Sequence, residues 1–192
     1  MAVRSRQDSP STWHHVVQRA IARRPLFEDR VDIRFFLSRP VREVHEGRLE
    51  IHAWCVLTTH FHSLVRSPMG ELAEAMRQAQ HESSRFFNRR HRRDGSLIRG
   101  RFLSMPVKSL TYRCTLVRYI DFSAVEAGRV SAPWREPWGS AAQCVGGTGP
   151  RRLERSRVED EVTSIAGPGA FRAADRGWSP CDSGWRIPVF PP

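Results

Sequence analysis

From Leu49 to Val65 the chain alternates in hydropathy on both sides of a Thr58-Thr59 pair, and segments of helical period flank that stretch. Leu49, Ile51, Ala53, Cys55 and Leu57 recur every second residue, the mark of a half-buried strand. Thr58-Thr59 suits a turn, and Phe61, Ser63 and Val65 begin a second strand. Residues 28–46 predict a helix with Ile33, Phe36, Leu37 and Val44 on one stripe, kinked or interrupted at Pro40. Residues 70–90 predict another through Leu72, Met76, Ala79, Ser83 and Phe86. Trp13 to Ile21 and Arg101 to Val107 read as further strands, and Ser109 caps a helix from Leu110 to about Phe122. The order is strand, helix, strand, strand, helix, strand, helix. Two strand–helix–strand units sharing a hairpin describe an α+β chain: a ferredoxin-like βαββαβ sandwich with an additional C-terminal helix.

The 192 residues suffice for one such domain, and texture changes near residue 143. Residues 1–140 carry 24 basic and 14 acidic side chains, whereas residues 141–192 carry 7 and 6. We therefore expect a domain over 1–143 and a weakly structured or disordered tail over 144–192, opened by Gly146-Gly147-Thr148-Gly149-Pro150. The formal charge is +11, and all but Lys108 of the 31 basic residues are arginine. Such a balance favours a polyanionic partner, although an arginine-rich coding bias would produce the same count. No apolar run approaches the roughly 18–20 residues of a membrane-spanning helix, and the polar start Met1 to Pro10 lacks a signal-peptide stretch. The expectation is no membrane and a cytoplasmic, nucleoid-associated location. The four cysteines form no C-x-x-C pair, against a zinc ribbon or a disulfide framework.

Three groups of residues could carry chemistry. In a strand, His60 and His62 point to one face while Phe61 enters the core, and two neutral imidazoles so placed can share a divalent metal. A solvated pair of histidines is the plainer alternative. On the last helix Tyr112 and Tyr119, the only tyrosines, share a face apart from Leu110, Cys114, Leu116, Val117 and Ile120, with Ser123 one turn beyond. A phenol there can attack phosphorus, or the rings can simply cover the helix shoulder. Finally, Arg85, Arg89, Arg90, Arg92, Arg93, Arg99 and Arg101 crowd a segment flanked by Phe86, Phe87 and Phe102. Arginines grip phosphate and exposed aromatics stack on bases, while a solvated helix end is the alternative. Phosphate loops of the G-x-x-x-x-G-K type, G-x-S-x-G and H-E-x-x-H are absent. His14, His15 and His52 are expected to be structural or substrate-side.

In order along the chain come Trp13-His14-His15-Val16-Val17-Gln18-Arg19, Arg24-Pro25-Leu26-Phe27, and His52 through Thr58-Thr59-His60-Phe61-His62 to Val65. Then follow Arg85-Phe86-Phe87-Asn88-Arg89-Arg90-His91, Arg118-Tyr119-Ile120 with Ala124-Val125-Glu126-Ala127-Gly128, and Pro137-Trp138-Gly139-Ser140. Together these resemble the HUH single-tyrosine transposases, most closely the REP-associated tyrosine transposases, from about Trp13 to Ser140. The chain departs from that pattern at Thr58-Thr59, where the family has Pro-Asn or Pro-Glu, and at Ser123, where it has Asn or Gln.

The resemblance implies a metal-dependent single-strand DNA endonuclease and strand transferase acting on single-stranded or hairpin DNA. It implies Tyr119 as the nucleophile forming a 5′-phosphotyrosine. His60 and His62 would be ligands of Mg2+ or Mn2+, with Ser123 as a shortened third ligand. The arginine segment would hold the foot of a DNA hairpin. A catalytically weakened, domesticated DNA-binding protein on the same fold is the alternative that the departures raise. An RNA-binding module of ferredoxin-like shape is another, but its sheet should present stacking aromatics rather than two histidines. Monomer and homodimer both remain open.

Overall fold

A computed structural model describes residues 8–142; the expected tail over 144–192 lies outside the described residues. Four antiparallel strands form one sheet in the order β2-β3-β1-β4: β1 Thr12–Arg19, β2 Glu50–Val56, β3 His60–Ser67 and β4 Leu103–Pro106. The helices are α1 Arg30–His45, α2 Leu72–Arg90 and α3 Leu110–Glu126. This is the ferredoxin-like sandwich with its additional helix, as the periodicity predicts.

Local chemistry sets the ends of the helices. Asp29 caps α1 by accepting from the amides of Val31 and Asp32, while the Asp32 carboxylate accepts from the amide of Asp29, a reciprocal capping box. Ser109 caps α3 by accepting from the amide of Tyr112. Pro40 lies inside α1 without interrupting it. The ends of β1 and α3 differ from the expectation. Ile21 belongs to a 3₁₀ turn after β1, and α3 continues past Phe122 to Glu126.

Helices α1 and α2 cover one face of the sheet, where Val16, Phe61 and Val65 pack with Phe36, Ala75, Met76 and Phe87. The opposite face receives α3 against β2 and β3. Leu116, Val117 and Ile120 are fully buried there, each worth about 1.5–3 kcal/mol of transfer free energy. Because both faces are covered, β2 is buried from Ile51 to Val56 rather than half-buried. A register shift between Ile51 and Ala53 marks a bulge in it.

The free edge of β2 is closed from the C-terminal side. The amide of Val56 donates to the Trp138 carbonyl at 3.1 Å, and the amide of Trp54 donates to Ser140 Oγ at 3.1 Å. The Ser140 hydroxyl lies 2.5 Å from Asp121 Oδ1 of α3. Buried Glu136 accepts from Arg129, whose other end donates to Thr58 Oγ1 at 2.6 Å. This latch fixes the turn from which β3 departs.

Candidate active site

Side chains from three elements meet on the α3 face of the sheet. The register creates the meeting: Val17 stands opposite His62 and Arg19 opposite His60, so His15, Val17 and Arg19 share a face with His60 and His62. The His60 and His62 rings are 5.0 Å apart between centroids. Tyr119 descends from α3 with its ring 5.5 Å from His62 and 6.1 Å from His15, nearly perpendicular to both. Phe61 points the other way into the α1/α2 core, as strand alternation requires. Tyr112, two turns earlier, makes no ring contact with these histidines.

His62 is 3% exposed and His60 is half-buried, so the two are not a solvated pair, and His15 beside them is 1% exposed. Burial holds the His15 imidazole down at about pKa 4. Burial also lowers His62 well below the ordinary value, helped by the charges of His15, His60 and Arg19, and lowers His60 with help from Arg19. All three imidazoles are therefore neutral near pH 7. The Tyr119 phenol is shifted up, first by burial and then by Glu126, while Arg19 pulls it the other way. It carries its proton at neutral pH.

The donor set fits a divalent cation at two positions. Thr59 Oγ1 lies 3.0 Å from His60 Nδ1, and His15 Nε2 lies 3.2 Å from His62 Nδ1. Each Nδ1 thus has a partner that can hold its proton, which leaves each Nε2 lone pair to a metal, the usual arrangement around ligating histidines. Among the described residues, no three of His, Cys, Asp and Glu gather as a ligand group. Ser123 is 6% exposed, and its hydroxyl donates to the Tyr119 carbonyl at 2.8 Å, back along its own helix. Sequence reasoning expected His15 to be structural or substrate-side and gave Arg19 no role, although their spacing along β1 is the same period-two signal that singled out the histidine pair.

The arginine segment divides. Arg90 binds Asp29 and Asp32, and Arg93 reaches Glu28 at 3.6 Å while lying over the Phe87 ring. Arg85, Arg89, Arg92, Arg99 and Arg101 are exposed and form no ion pair with a described residue. Phe87 and Phe102 are core residues rather than exposed stacking rings, and Phe86 stacks on Phe35 at 3.8 Å. The segment joins the site through its backbone: the amide of Arg99 donates to the Arg19 carbonyl at 2.9 Å.

A family model described as "Transposase IS200 like" matches residues 9–121, more than half of the chain. A REP-associated tyrosine transposase, solved bound to a REP hairpin, is 20% identical with a TM-score of 0.62. The match covers 80% of this chain and 91% of that one. A chain from Deinococcus radiodurans R1, also described as a transposase, is 16% identical with a TM-score of 0.42 over 62% of this chain and 96% of its own. No curated protein sequence matches. No described helix is long and apolar enough to cross a membrane.

Proposed function

The chain belongs to the IS200-like transposase family, and on that premise we propose that it is a single-strand DNA endonuclease and strand transferase. In this reading it acts on hairpin-containing DNA through a 5′-phosphotyrosine on Tyr119. The observation that carries it is the placement of the Tyr119 ring 5.5 Å from His62, on the sheet face that also bears His60. A phenol nucleophile beside two neutral imidazoles able to ligate a metal suits phosphodiester exchange. It also matches the hairpin bound by the REP-associated neighbour, whose fold this chain shares.

In this mechanism the folded domain positions rather than activates. His60 and His62 would hold Mg2+ or Mn2+ through Nε2, with Thr59 and His15 fixing the two rings. Bound there, the cation supplies Lewis-acid polarisation of a non-bridging phosphate oxygen. Ser123 would be the third ligand through an oxygen lone pair, its proton being donated to the Tyr119 carbonyl. Helix α3, clamped to the sheet by Leu116, Val117 and Ile120, keeps the phenol beside the histidines. Tyr119 attacks phosphorus in line, the 3′ oxygen leaves as a hydroxyl, and a later 3′-hydroxyl reverses the exchange. Arg85, Arg89, Arg92, Arg99 and Arg101 would grip the hairpin foot, with Arg90 and Arg93 bracing the segment. The protein would work in the cytoplasm, at the nucleoid.

The short Ser123 side chain, hydrogen-bonded to the Tyr119 carbonyl, favours a second reading, a weakened enzyme that retains DNA binding. The test is a labelled single-stranded oligonucleotide with a hairpin, incubated with Mn2+ and resolved under denaturing conditions. A protein-linked, nicked product establishes the nuclease. Tight binding with neither nick nor adduct establishes the second reading.

A further inference from the structure

Arg19 ends β1 opposite His60, on the face shared with His62 and Tyr119. Its position is fixed from behind, because its carbonyl accepts from the Arg99 amide at 2.9 Å and from Gln18 Nε2 at 3.0 Å. The side chain is half-buried, and its Nε is sealed from solvent without a hydrogen-bond acceptor. No described carboxylate pairs with it, although ion pairs engage Arg39, Arg42, Arg48, Arg66, Arg77, Arg90, Arg93 and Arg129. Its charge reaches His60, His62 and Tyr119, all of them neutral.

A half-buried cation without a counter-ion is costly, and a retained one implies an anion that arrives from outside. The groups around Arg19 constrain that anion: it sits against a phenol nucleophile and two imidazoles. A guanidinium offers paired N–H donors that match two oxygens of one phosphate.

We propose that Arg19 is a catalytic residue that binds the scissile phosphodiester and carries the negative charge developing on its non-bridging oxygens. The inference rests on the reading of this site as a phosphodiester-exchange centre. The Oη–P bond of Tyr119 forms as the P–O3′ bond breaks, and the phenol proton ends on the departing 3′ oxygen. Arg19 remains protonated throughout and keeps hold of the phosphotyrosine. It thereby supplies fixed positive charge beside His60.

The experiment compares the full-length protein with Arg19→Ala and Arg19→Lys, reading hairpin affinity, adduct formation and single-turnover nicking with Mn2+. Loss of one such fixed donor group lowers turnover by about 10²–10³, and hairpin affinity should change far less because most phosphate contacts lie elsewhere. Arg19→Lys, which keeps charge without the fork, should recover part of the rate. It also serves as the test should alanine loosen β1. In parallel, inorganic phosphate is titrated into metal-free protein while the Arg19 Nε–Hε resonance is followed, assigned by its loss in Arg19→Lys. A saturable shift of that resonance is expected. If the natural chain nicks and both variants nick equally fast, the assignment to Arg19 is overturned while the nuclease stands. If the natural chain does not nick, the nuclease reading fails instead. The titration then decides alone: a moving resonance keeps the phosphate site, and a fixed one removes it.

Discussion

His15 Nε2 stands 3.2 Å from Nδ1 of His62, so a buried residue of β1 holds the ring of a residue of β3. Partners of this kind typically tune metal affinity by about 10–100-fold. His15→Ala should therefore weaken Mn2+ binding by that order without removing it, whereas His60→Ala and His62→Ala should each abolish it. Calorimetric titration of the three variants checks the ranking. Equal affinity in His15→Ala would reduce the contact to packing.

Tyr119→Phe should eliminate the covalent DNA adduct and leave hairpin affinity unchanged, since only the attacking oxygen is lost. Tyr112→Phe should retain the adduct, because Tyr119 rather than Tyr112 makes the ring contacts with His15 and His62. Denaturing electrophoresis of protein and labelled DNA separates the two outcomes.

The arginines should sort by their partners. Replacing Arg89, Arg92 and Arg99 should lower the slope of log affinity against log salt by about 0.7 per contact on single strands and about 0.9 on duplex. Arg90→Ala should leave that slope alone and lower the melting temperature, because Asp32 is buried and loses a guanidinium partner. Salt titrations and thermal melts on the same preparations test both halves.

Ser123→Ala should leave nicking untouched at a stability cost of about 1 kcal/mol or less, since the hydroxyl serves only a carbonyl of its own helix. Ser123→Asn extends an amide oxygen and gives up that bond, so it should lower the Mn2+ concentration needed for half-maximal nicking. Rate against metal concentration for the three proteins would show it.

Cys55 is 1% exposed, and burial, with Glu136 and Asp121 nearby, pushes its thiol up to about 12. Too little thiolate forms near pH 8 to react. Iodoacetamide should leave Cys55 unmodified in the native protein, while half-exposed Cys114 is alkylated. Peptide mass spectrometry reads the result directly.

Periodicity alone was enough for the order of elements and the sidedness of His60-Phe61-His62, because both depend on spacing within one strand. What crosses strands was not legible. The bond between His15 and His62 depends on a pairing register set 47 residues apart, and no local pattern records it. Thr59 looked like a departure from the family pattern, yet its hydroxyl is placed to orient His60. The arginine run read as one surface because sequence shows charge but not partners. Asp29 and Asp32 sit at the start of α1, far along the chain from the Arg90 they bind. The half-buried reading of β2 failed for a related reason, since alternation cannot show that a third helix will cover the second face.

The closed edge of β2 has an effect on how copies of this protein can meet. Exposed strand edges invite continuation of a sheet from one molecule into the next. Trp138 and Ser140 occupy the positions that an incoming strand would need. Among the described strands, sheet continuation is left to β4, only four residues long. A truncation ahead of Pro137 would therefore bare a long apolar edge to aggregation, while Arg129 and Glu136 would still hold Thr58 at the turn before His60.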